Sequence, residues 1–284
     1  MNTKINTKMN SHDFYGFGSS RVKITKDIYN DKKYNIKIAG GGGGSGNGNE
    51  ERIFFKLLSQ LGVFVGFTTN KEYNSAFFYV KEDFCSLRVF LKRIVDSCGY
   101  GSGYSEDGGS GCGCISYDQA VFMADSLCRQ VILFAGYGWG FYCFLLDNVY
   151  VVDNHNFIYL GIEHLIEVRE KRIHFTVPFR EKHMIMCGCE VVMNLFICPE
   201  IKNMNQLPFS IAEFGVYYHL ASLIIYCMFH KNICFSGSGG EDGQCDDGVA
   251  GVGGVLSAIY NTKLYWFLIR CLHNDHSKRI LLWI

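Results

Sequence analysis

Four cysteines stand in two Cys-x-Cys pairs, Cys112-Gly113-Cys114 and Cys187-Gly188-Cys189. Together they offer four thiolates, the donor set of a structural zinc site. Their one-residue gap is shorter than the roughly two to four residues usual in such sites, and the first pair borders a glycine tract. Cys143 and His155 are the residue types of a thiol hydrolase. That chemistry needs a positioned base and an oxyanion hole, and nothing in their spacing argues for either. Arg169, Lys171, Arg172, Arg180 and Lys182 make a basic stretch offset by Glu167, Glu170 and Glu181, five cations against three acids. This reads as a solvated loop.

The composition bounds the function. The 284 residues suit one large domain or two small ones. Lys plus Arg and Asp plus Glu are both 27, which argues against a general polyanion binder, because phosphate neutralisation needs excess cations. No nucleic-acid partner is expected. Apolar residues at 48% and charged residues at 19% exclude a wholly disordered chain. Of 32 glycines, 22 fall in three tracts, residues 40–48, 99–113 and 237–254. These read as insertions in surface loops, where added length costs little. Many of the thirteen cysteines lie inside apolar runs, and residues 1–13 show no apolar stretch behind the early lysines. Free buried thiols in a reducing, intracellular (cytoplasmic) compartment are the expectation. Two uncharged runs, residues 130–146 and 214–230, are each 17 residues long, at the lower edge of a membrane span. Glycines 136, 138 and 140 interrupt the first and His219 sits inside the second. The second is therefore expected to be a buried helix.

The periodicities define an α+β chain. Residues 21–29 and 34–38 alternate about an Asn30-Asp31 turn and predict a hairpin. Asn49, with Glu50 and Glu51, opens a helix with Ile53, Phe54, Leu57, Leu58 and Leu61 at helical spacing, ended by Gly62. Residues 63–68 and 76–80 are strand-like, and 86–96 form a helix. Ser116 caps a long helix. A hairpin at residues 149–160 turns on Asp153-Asn154-His155-Asn156. After a mixed segment up to Pro199, residues 210–229 and 263–272 are expected to be helical.

This order resembles a protein kinase domain over nearly the whole chain, a two-lobed fold with a small β-sheet lobe holding one helix and a mainly helical large lobe. Gly16-Phe17-Gly18-Ser19-Ser20-Arg21-Val22 resembles the glycine-rich loop over the nucleotide phosphates, with Arg21 in place of the third glycine. Tyr34-Asn35-Ile36-Lys37 resembles the strand motif ending in the phosphate-pairing lysine. Lys37 lies opposite Ile36 and Ile38 and is expected to face the cleft. The resemblance implies Glu51 as its ion-pair partner, with Glu50 as the rival. The segment from Phe141 through Cys143 to Asn148-Val149 resembles the catalytic loop: Asn148 matches the metal-binding asparagine, and Cys143 stands at the position of the catalytic aspartate. Gly161 stands where the second metal-binding aspartate belongs, and Glu163 or Asp153 would be displaced ligands. Ile197-Cys198-Pro199-Glu200 resembles the Ala-Pro-Glu motif, which implies a structural ion pair between Glu200 and Arg279. Val216 replaces the aspartate that anchors the catalytic loop.

Structural marks thus persist where chemical ones are missing. The implied organisation is an N-terminal segment 1–13, a small lobe 14–82 and a large lobe 83–284. The implied function is a pseudokinase, a binding or scaffolding module for a protein partner that keeps at most nucleotide binding. ATP and magnesium are the cofactors the resemblance would supply. The alternatives are an atypical active Ser/Thr kinase using Glu163 or Asp153, and a membrane-associated protein.

Overall fold

The computed structural model describes residues 21–39, 49–97, 114–176, 195–204, 206–233 and 254–281. It is a mixed α+β structure. Strands β1 (Val22–Lys26) and β2 (Lys33–Ile38) form an antiparallel hairpin, with Val22 opposite Ile38 and Lys23 opposite Lys37. Helix α1 (Asn49–Gln60) follows, with Glu50 and Glu51 in the first turn, where the helix dipole favours acids. Then come β3 (Val65–Thr69) and β4 (Ser75–Tyr79), giving an antiparallel sheet of order β1-β2-β4-β3.

The pleat sends alternate side chains to opposite faces. Tyr34, Ile36 and Ile38 of β2 share the buried face with Ala76 and Phe78 of β4. Helix α1 packs on that face through a chain of rings, in which Phe55 meets Phe67 at 6.1 Å and Phe67 meets Phe78 at 6.4 Å.

Strand β5 (Phe84–Ser86) leads into α2 (Leu87–Ser97). Helix α3 (Tyr117–Gly136) is opened by a capping box, in which Ser116 accepts from the Gln119 N–H and the Gln119 side chain accepts from the Ser116 N–H. Beyond it lie β6 (Trp139–Phe141), β7 (Phe144–Leu145), a 3-10 turn Leu146–Asn148, and the hairpin of β8 (Val149–Val152) and β9 (Asn156–Tyr159). A second 3-10 turn, Ile162–His164, precedes β10 (Leu165–Arg169) and β11 (Arg172–Phe175). The described chain resumes with β12 (Leu195–Phe196), α4 (Pro199–Lys202), β13 (Phe209–Ala212), α5 (Gly215–Phe229) and α6 (Lys263–Cys271). Three further sheets result, of order β13-β11-β10-β6, β12-β7 and β5-β8-β9.

Two segments differ from the sequence expectation. The basic stretch is not a loop as far as it is described: β10 and β11 pair across Glu170-Lys171, both at positive φ. That twist matches the favoured two-residue hairpin turn. Arg180 and Lys182 lie outside the described residues. The helix expected from residue 210 starts instead at Gly215, because residues 209–212 pair with β11. Helix α5 is apolar almost all round and buried. No helix among the described residues is long and apolar enough to cross a membrane. Cys85, Cys128, Cys143, Cys198, Cys227 and Cys271 are buried and unbridged. Apart from Gly254, the three glycine tracts lie outside the described residues.

Helix α3 and strand β9 are joined by one side chain. The Gln130 amide donates to the Tyr159 carbonyl at 2.7 Å, and its oxygen accepts the Tyr159 N–H at 2.8 Å. All of this is buried. Gln130→Leu leaves both backbone groups unpaired and should lower the unfolding free energy by about 2–5 kcal/mol. A urea titration checks this; an unchanged midpoint at unchanged slope would show the pairing to be dispensable.

Candidate functional site

Gly16 and Gly18 lie outside the described residues. Lys37 is described, and its direction is corrected. Ile36 and Ile38 turn toward α1, so the pleat places Lys37 on the opposite, exposed face of the sheet. The expected pairing of Lys37 with Glu51 is not formed. Glu51 instead accepts from the Arg21 guanidinium, and Glu50 lies 3.8 Å from the same group. Arg21, which stands in place of the third glycine of that loop, is the cation that meets α1.

Asn148 and Glu163 are brought together. The Asn148 amide nitrogen donates to a Glu163 carboxylate oxygen at 2.6 Å. The second oxygen of Glu163 is buried without a hydrogen-bond partner. Burial raises the Glu163 carboxyl above its ordinary range, while its own main-chain N–H, the Asn148 amide and the Arg21 charge pull it back. Arg21 thus meets α1 through its side chain and lends positive charge near Glu163.

Cys143 is 1% exposed and packs among Ile173, Phe175, Ile197 and Cys198. Burial, then the nearby Glu163, pushes its thiol well above the ordinary value. A protonated thiol in an apolar cluster is neither a base nor a nucleophile. Gly161 is closely packed. A Cβ there would lie 2.5 Å from the Tyr159 hydroxyl and 2.8 Å from the Asn148 amide nitrogen. No side chain, acidic or otherwise, fits without moving both. The Tyr159 hydroxyl sits 2.5 Å from His164 Nδ1 and accepts the Leu145 N–H at 3.2 Å.

Asp153 is the alternative metal ligand from the sequence. It accepts the backbone N–H groups of Glu82 and Asp83 at 2.7 and 3.3 Å, so its carboxylate fastens the β8–β9 turn to the segment before β5. Asn148 and Glu163 would offer a divalent cation one amide oxygen and one carboxylate. Among the described residues, no cluster of three or more His, Cys, Asp or Glu could hold a metal ion. Cys112, Cys187 and Cys189 lie outside the described residues. Another buried titratable group, His219 of α5, is driven down to about 3 by burial and then by Arg279, so its imidazole is neutral.

The ion pair of Glu200 and Arg279 is formed at 2.8 Å. The Arg279 side chain is fully buried. It also donates to the His273 carbonyl at 2.8 Å and lies 5.1 Å from the centre of the Tyr218 ring. Residue spacing did not point to Arg21, Gln130, Tyr159 or His164. The Arg21–Glu51 contact spans 30 positions and the Gln130–Tyr159 contact 29, and no local periodicity registers such a pairing.

Two predictions follow from this geometry. Removing one member of a buried pair strands the other, so Arg279→Ala should cost about 3–5 kcal/mol in urea unfolding. Arg279→Lys should not restore the loss, because it lacks the forked donor set. The second concerns Glu163. Its folded pKa is raised, so the native state binds the proton more tightly than the unfolded chain does. Its contribution to stability is greatest when protonated and falls as pH rises through the folded pKa. Glu163→Gln keeps an acceptor for Asn148 and removes that penalty. Its melting temperature should exceed that of the wild type at neutral pH, with the gain fading toward pH 4.5, the ordinary glutamate value. A gain that does not change with pH would refute this assignment. No protein-family model matches the chain, and no curated protein matches it.

Proposed function

We propose that the chain is a kinase-like domain that does not transfer phosphate and acts as a binding or scaffolding module. The observation that carries this reading is the burial of Cys143. Phosphoryl transfer of the kinase type needs a carboxylate there to orient the substrate hydroxyl and take its proton. A buried thiol held protonated does neither. The tight packing around Gly161 supports the same reading, since it excludes the second acid. The kinase-like, two-lobed fold is supported by the sheet order β1-β2-β4-β3 with α1 on one face, the β8–β9 hairpin after Asn148, and the Glu200–Arg279 pair. In this reading the module keeps the packing of the fold and lacks the charges that stabilise the transition state.

The purified chain, given ATP and magnesium, should label neither itself nor a general acceptor protein above the level of a heat-denatured control. Labelling abolished by Asn148→Ala would overturn the proposal. A second reading, an atypical active kinase, is favoured by the adjacency of Asn148 and Glu163 at 2.6 Å. These two residues would hold magnesium, and the ion would neutralise phosphate charge. That reading requires the melting temperature to rise with ATP and magnesium together, and a rise retained in Glu163→Gln would count against it.

A further inference from the structure

The sheet has two faces, and α1 packs on only one. The other is exposed at Lys23 and Thr25 of β1, Asn35 and Lys37 of β2, and Phe77 of β4. Lys23 and Lys37 are direct cross-strand partners, so their Cβ atoms are about 5 Å apart. Like charges opposed in this way destabilise a sheet unless an anion lies between them. The face carries no acid at any strand position, and Asp27, just beyond β1, is already engaged by Lys33 at 3.4 Å. The hairpin segment as a whole, residues 21–39, holds six cations against two acids, a net of +4 in a chain of zero net charge. Net neutrality therefore hides a strongly basic hairpin.

The same face presents an aromatic ring. Phe77 is 39% exposed, lies directly opposite Asn35, and has Lys33 Nζ 5.3 Å from its ring centre. Lys37 is two register pairs further along, the next position on the same face, opposite Ser75. A flat ring bordered by lysines and by small polar side chains suits a nucleobase that stacks while its phosphates meet the cations. A duplex hides its base faces inside the stack, so the ring selects unpaired bases.

We propose that this outer face of the sheet binds single-stranded nucleic acid, with Phe77 stacking on a base and Lys23 and Lys37 neutralising the backbone. The proposal does not depend on the kinase-like reading. The whole chain is titrated against fluorescein-labelled oligo(dT) and oligo(U) of about 15 nucleotides and followed by fluorescence anisotropy over a range of salt concentrations. Binding in the micromolar range at low salt is expected. Phe77→Thr keeps strand propensity while removing the ring, and should weaken binding about tenfold. The double variant Lys23→Gln/Lys37→Gln should lower the slope of log affinity against log salt by about 1.4, for two single-strand phosphate contacts. Both variants alter exposed side chains, and melting curves matching the wild type establish that they fold. Three results would overturn the proposal. One is no anisotropy change up to about 100 μM protein, the weak end of non-specific binding. Another is equal affinity for a duplex, poly-glutamate or phosphatidylserine vesicles with no effect of Phe77→Thr, which marks a generic cation patch. The third is an unchanged salt slope in the double variant.

Discussion

Tyr159 brings three polar groups into a region that water does not reach, and each is satisfied there. Its N–H and C=O are both taken by Gln130 of α3, and its hydroxyl joins His164 and the Leu145 N–H. Buried polar groups must be bonded or they cost more than the bond is worth. One side chain and its backbone therefore fix four pieces against each other: α3, β7, β9 and the turn at Ile162–His164. The Asn148 carbonyl accepts the Leu160 N–H at 2.8 Å, which carries the same constraint to the start of β8. The candidate site is built on this frame. Asn148 sits before the hairpin, Gly161 just after it, and Glu163 in the turn that the hairpin feeds.

The frame also explains the state of the site's titratable groups. A ring as large as Tyr159, fully buried beside Gly161, leaves no room for a side chain there. The burial that lets its hydroxyl bond His164 also lowers the local dielectric, so charged forms nearby are disfavoured. Cys143 is held as a thiol and the Glu163 carboxyl is raised for this reason first. A site that stabilises a phosphoryl-transfer transition state needs charges that remain charged. Apolar packing around the hairpin works against that, while it strengthens the same region as a structural core. In the kinase-like reading we propose, the absence of chemistry and the tight packing have one physical cause.

Most elements with a repeating pattern were legible. Helices α1, α2 and α6 and the strands of the two sequence-expected hairpins lie within a few residues of where their periodicities place them. Strands β10 and β11 were missed although Arg172-Ile173-His174-Phe175 alternates cleanly between exposed and buried. The run of charges obscured the period. Strand β13 was missed because its residues run straight into the apolar α5, and only pairing with β11 separates the two. Lys37 shows a different limit. It alternates with Ile36 and Ile38 as the sequence shows, but alternation does not say which face a helix will cover. The apolar stripe of α1 decides that, and it lies beyond residues 40–48. The Arg21–Glu51 contact was hidden for the same reason, being set by how α1 docks rather than by any spacing.

The β1–β2 hairpin shows how little a net charge says about a surface. Arg21 turns inward and meets two acids of α1, where its charge helps to hold the hairpin to that helix. Lys23 and Lys37 turn outward and oppose each other with no acid on their face. The hydrophobic partners of these residues leave no other arrangement. Val22, Ile36 and Ile38 must lie in the core on the face that α1 covers, so every alternate position must face away from it. A one-residue slip in register would bury the lysines and expose the core. The pleat that gives the small sheet its core therefore also gives it a basic outer face.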